Sequence, residues 1–120
     1  MSLILAPAQL QDDAVVTTTR ERLDTLLRGW PLAGQYGQLS AVVGAMHDLG
    51  HANRWPQIRQ PVLVVGYDQD VETPPHSVTA MAEALPSGES LILAGAAHGG
   101  PFTHVEASLT PVLQFLARAG

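Results

Sequence analysis

"PVLVVGYDQD", Pro61 to Asp70, sets a run of valine and leucine behind a proline and releases it into a polar loop. An apolar run without in–out alternation predicts a strand covered on both faces, as in a parallel sheet. "SLILAGAAHGG", Ser90 to Gly100, repeats the pattern, with small residues around a single histidine, His98. Between the two, "HSVTAMAEAL" places Val78, Met81, Ala82 and Leu85 on one helical stripe that Pro86 and Gly88 close. Strand, helix, strand in that order implies a crossover and a parallel pair. Ligands of such sheets meet the loops at the carboxyl ends of the strands.

Outward from this unit the pattern continues. "LILA" (3–6), stopped by Pro7, predicts a further short buried strand. "TRERLDTLLRGW" puts Leu23, Leu26, Leu27 and Trp30 at helical spacing, with Thr19 as the expected N-cap and Gly29 and Pro31 as the stop. "WPLAGQYGQ" reads as loop, and a second helix is expected from about Gln38, carrying Leu39, Val42, Val43, Met46 and Gly50 on one face. The last helix carries Val105, Leu109, Val112, Leu113 and Leu116. It starts either at Thr103, with Glu106 completing a capping box, or at Thr110, and Pro111 favours a break or kink. The expected fold is α/β, a parallel sheet of about three strands with helices on both faces.

With 120 residues, 46% apolar and 14% charged, the chain reads as one globular domain. A net charge of −5 argues against nucleic acid or an anionic membrane as partner. The absence of cysteine excludes disulfides and thiolate chemistry. "MSLILAPAQL" has no basic start and too short an apolar run for a leader or a span, so a cytoplasmic location is expected. No cofactor is expected. His47 and His51 in "HDLGH" have the i, i+4 spacing of a helical metal site, but no carboxylate motif completes it and no metal is expected. Imidazoles near a helix end, where partial negative charge suits them, are the plainer reading.

Chemistry is carried by the two strand exits. Adjacent parallel strands, one releasing an aspartate and the next a histidine, bring carboxylate and imidazole within hydrogen-bond reach. The carboxylate fixes the ring's tautomer and leaves the other nitrogen free as a general base. Asp70 and His98 are the expected pair, with Asp68 competing for the acid role.

"IRQPVLVVGYDQDVETPPHSVTAMAEALPSGESLILAGAAHGGPFTHVEASLTPVLQFL" resembles the C-terminal part of the α/β-hydrolase superfamily. The shared features are a Pro-entered strand ending in glycine and an acid about four residues before a Pro-Pro helix start. A helix ending "LP", another strand and a histidine in a small-residue loop complete them. Asp70 stands four residues before Pro74, so the resemblance selects it over Asp68. It further implies an edge strand at 2–7, a reduced helical cap over 12–58, and the acid and histidine unit over 59–120. Beneath such a cap, Tyr67, His47 and Met46 are the expected substrate-binding residues, with Trp30 and Phe102 as further lining.

One element of the superfamily is absent. Its nucleophile occupies a G-x-S-x-G elbow, and Ser2, Ser40, Ser77, Ser87, Ser90 and Ser108 all lack that setting. Three readings follow. The first is a truncated enzyme using an Asp-His dyad for hydrolysis, cyclisation, elimination or isomerisation of a small hydrophobic carbonyl, ester or thioester compound. The second is the C-terminal part of a split serine hydrolase, and the third a non-catalytic binding module with a relic dyad. An unpaired strand at residues 2–6 would be an exposed sheet edge. The expected partner is therefore a second copy joined through that strand, or a complementary N-terminal hydrolase half.

Overall fold

The computed structural model describes residues 4–47 and 51–120; the side chains of Met46, His47, His51 and Ala52 lie outside the description. The central unit is β1 (Val62–Tyr67), α3 (Pro75–Glu83) and β2 (Gly88–Leu93). The strands pair in parallel from Val62 opposite Gly88 to Tyr67 opposite Leu93. Helix α3 starts as its sequence dictates, with Pro75 in the first turn. It packs across both strands, burying Val78 and Ala82.

Side chains alternate between the faces of a strand. A Cβ on Gly66 would stand 2.5 Å from Val78 Cγ2, so the Gly66 face is the one α3 covers. Val65 and Tyr67 point the other way, towards α5 (Val105–Ala119), which crosses from the end of β1 to the start of β2. Its ties there are Tyr67 Oη to Ser108 Oγ (3.0 Å) and Arg118 to Glu89 (2.8 Å). Helices on both faces are thus observed. Cover on the α5 side is incomplete, and Val62 to Val65 remain half-buried.

The expected third strand is not formed over the described residues 4–7, which make a turn and bend, and among the described residues the sheet has two strands. The reason is where the backbone hydrogen bonds go. Ile4 O accepts from Gly99 N (2.7 Å), and Ala6 O accepts from Gln9 N and Leu10 N. Ala6 N donates to the Gln9 side chain. Leu5 and Ala6 are fully buried all the same, so the apolar run marks burial and not strand. Met1 to Leu3 lie outside the described residues. Pairing of two copies through residues 2–6 presupposes a strand that residues 4–6 do not make.

Both helices ahead of β1 start earlier than expected. α1 (Asp13–Arg28) begins at Asp12, whose carboxylate accepts from Ala14 N and Val15 N, while Thr19 is buried in mid-helix. α2 (Leu32–His47) begins directly after Pro31, so the expected loop is helical. Gly34 is no breaker there, because the Trp30 indole occupies the position its Cβ would take. At the C-terminus a single turn, α4 (Gly100–Thr103), precedes α5, which runs from Val105 straight through Pro111.

Helix α2 contains no charged residue and leaves Leu32, Tyr36 and Leu39 more than three-fifths exposed. The radius of gyration is 16.1 Å, against about 14 Å for a compact chain of this length. The α1–α2 region therefore stands out from the sheet.

The close approach of α3 to β2 is set by Gly88, where a Cβ would stand 2.2 Å from the Ala82 carbonyl oxygen. Backbone cannot rotate away as a side chain can. Gly88→Ala is expected to lower urea stability by about 2 kcal/mol. Gly37 on α2 has nothing within 4 Å of its Cβ position, and Gly37→Ala is expected to raise stability by up to about 1 kcal/mol.

Candidate active site at the strand exits

Beyond Tyr67 and Leu93 the two exit loops stay tied together. Asp68 N donates to Leu93 O (3.0 Å) and Gln69 N to Ala96 O (3.0 Å). The Asp68 carboxylate accepts from Gly95 N (2.8 Å), and Gly95 takes φ +81°, a conformation only glycine adopts freely. Asp68 is therefore engaged in closing the second loop. The next residue after Gln69 is Asp70, and the second after Ala96 is His98.

Asp70 and His98 meet there. His98 Nδ1 lies 2.9 Å from Asp70 Oδ2. The other oxygen, Oδ1, accepts from Glu72 N and Thr73 N, both at 2.9 Å. The Asp70 side chain is 4% exposed and the His98 side chain 44%. One end of the pair is fixed inside the protein and the other faces outward. A buried carboxylate with its oxygens so engaged selects the Nδ1–H tautomer and leaves Nε2 as the basic nitrogen.

Burial alone pushes the Asp70 carboxyl up. The donors from Thr73, His98 and Glu72, together with the charge of His98, outweigh it and hold the group below the usual carboxylate range.

Among the other expected site residues, Tyr67 is buried, its ring against Gly100 and its hydroxyl on Ser108. Met46 and His47 close α2, and their side chains lie outside the description, as does that of His51. Among the described residues no cluster of three or more His, Asp or Glu is placed to hold a metal ion. No helix among them is long and apolar enough to cross a membrane.

Glu72 was not singled out from the sequence. Its Oε2 stands 3.8 Å from His98 Nε2, the nitrogen that does not meet Asp70. Its place two residues after the acid, inside the turn that Asp70 caps, was the available signal. Ser108 and Arg22 were also missed. Arg22 of α1 donates to Phe102 O (2.8 Å) and ties α1 to α4. It lines a groove of about 310 Å³ with Val15, Thr18 and Phe102.

Residues 31–119 match the α/β-hydrolase family profile described as TAP-like protein. The chain belongs to this family. The Mycobacterium tuberculosis protein that carries the name non-heme bromoperoxidase BpoC is 44% identical over 68 residues, 54% of this chain and 26% of that protein. The solved structure of Rv0554 from the same organism superposes with a TM-score of 0.76 at 28% identity, covering 100% of this chain and 42% of that one. A crystal structure of BpoC gives 0.75 at 30% identity, over 97% and 41%. The chain thus spans about a quarter of the length of the curated relatives and about two fifths of the solved structures. It is a partial α/β-hydrolase fold.

A depressed Asp70 stabilises the folded chain above the ordinary carboxylate pKa of about 3.9, and that contribution is lost as pH falls through the lowered folded value. Asp70→Asn is expected to cost about 2 kcal/mol at neutral pH. In urea titrations, the gap between this variant and the native chain should close as the solution is acidified below about pH 4.

Proposed function

We propose that this chain supplies the acid and base for proton transfer on a small apolar carbonyl, ester or thioester compound. His98 Nε2 is the general base and Asp70 holds the ring. The observation that carries the reading is the 2.9 Å contact between His98 Nδ1 and a buried, doubly anchored Asp70. The substrate class is the one that the resemblance to the α/β-hydrolase superfamily implies.

In hydrolysis, His98 Nε2 takes a proton from water as the oxygen adds to the carbonyl carbon. The intermediate then collapses, and the imidazolium returns the proton to the departing oxygen or sulfur. The same couple serves cyclisation, elimination or isomerisation, where the proton taken is the substrate's own.

A second reading is favoured by the span of the match, 26% of BpoC and about two fifths of the solved structures. Here a hydroxyl nucleophile comes from a part of the hydrolase fold outside residues 1–120, and Nε2 takes its proton. The open apolar groove between β1 and α5, lined by Val65, Val105, Leu109 and Val112, supports a neighbour on that face.

Turnover of an aryl ester or thioester by the purified chain tests the first reading. His98→Ala is expected to lower it at least about 100-fold with the circular dichroism unchanged, and retained turnover would overturn the assignment. Labelling by a serine-directed phosphonate only after a complementary hydrolase segment is added marks the second reading.

A further inference from the structure

We infer that Tyr67 is a positioning residue, clamped between Ser108 and the Gly99–Gly100 turn, that sets the relation of Asp70 to His98. The inference deepens the reading of the strand exits as a proton-transfer site and rests on the pair being there. Its observations lie outside the pair itself.

Tyr67 touches both loops at once. Its backbone carbonyl accepts from Asp70 N (3.2 Å), so it stands at the root of the acid's turn. Its ring lies where the side chain of residue 100 would be: a Cβ on Gly100 would fall 2.1 Å from Cε1 and 2.3 Å from Cζ. The ring therefore lies flush against the backbone two residues after His98. Only glycine admits that approach.

The hydroxyl completes the clamp. It lies 3.0 Å from Ser108 Oγ, and Ser108 Oγ lies 3.4 Å from Gly100 O. Ring, hydroxyl and peptide make a closed triangle of Tyr67, Ser108 and Gly100, with Tyr67 itself only 6% exposed. From the opposite side Ile4 closes on Gly99, whose N–H donates to Ile4 O at 2.7 Å and whose Cβ position is filled by Ile4. The peptide after His98 is gripped from two sides, and one grip belongs to the residue that roots the Asp70 turn. A buried tyrosine needs a partner for its hydroxyl wherever it lies; what marks this one is that its ring takes the side-chain position of residue 100 while its carbonyl roots the Asp70 turn.

The test reads the pair directly and needs no turnover. Nitrogen-15 spectra of histidine-labelled chain report the fraction of His98 in the Nδ1–H tautomer, with His98→Ala supplying the assignment. In the native chain that tautomer is expected to dominate. In Tyr67→Leu its fraction is expected to fall to about half, as the ring reverts towards the preference of free imidazole. Ser108→Ala removes only the hydroxyl partner, so it keeps the test open if the leucine variant fails to fold, and a smaller fall in the same direction is expected. Tyr67→Phe should match Ser108→Ala. An unchanged tautomer fraction in folded Tyr67→Leu or Ser108→Ala, or a native chain without the Nδ1–H preference, overturns the inference. A chain that shows the tautomer shifts but turns over no ester would retain the clamp and lose the proposed function.

Discussion

The structure depends on the parallel ladder between β1 and β2 and on its continuation past the strand ends. A ladder fixes only backbone, and a loop beyond it is ordinarily free to diverge. Here the Asp68–Leu93 and Gln69–Ala96 hydrogen bonds carry the pairing two residues further, and Asp68 closes the second loop through Gly95. By the time the chains separate, Asp70 and His98 are already opposed. The 2.9 Å contact between them is thus a consequence of strand register. A one-residue slip would place Gln69 or Val71 where the acid belongs.

Around that pair, polarity is graded. Asp70 is buried and has one oxygen committed to two backbone donors and the other to His98. His98 has one nitrogen in this network and the other beside the exposed carboxylate of Glu72. The ordering entropy of the imidazole is therefore met by the protein and not by an incoming molecule, the general condition for an efficient proton-transfer group. Glu72 adds negative charge on the side from which a reacting group would approach, and with Asp70 it makes the surroundings of the ring decidedly anionic.

The β1–α3–β2 unit was legible in the sequence because its signals are local and agree with one another. Pro61, the Pro74-Pro75 pair and Gly88 punctuate two apolar runs and one stripe of period 3.6, and the three elements begin on or one residue after those marks. The Asp70–His98 pair followed from that topology, and the choice of Asp70 over Asp68 needed the family resemblance. What the residues alone could not show is that Asp68 is engaged by Gly95. The N-terminal "LILA" misled because a short apolar run looks alike as a strand or a turn, and Leu5 and Ala6 are buried without forming a strand. The run's hydrogen bonds go to Gly99 and Gln9, partners that no local pattern reveals. The loop expected around Gly34 and Gly37 proved helical because Pro31 opens a helix as readily as it stops one, and the Trp30 indole fills the space beside Gly34. The tie of Tyr67 to Ser108 was not legible, because the two residues stand forty-one positions apart.

The contact of Ile4 with Gly99 has a practical side. The chain's fourth residue is bonded to the peptide that follows His98, so whatever is joined ahead of it exerts its pull on the imidazole's own loop. An affinity handle or fusion partner at that end would act on the His98 ring like a lever. One placed after Gly120, at the far end of α5, would not.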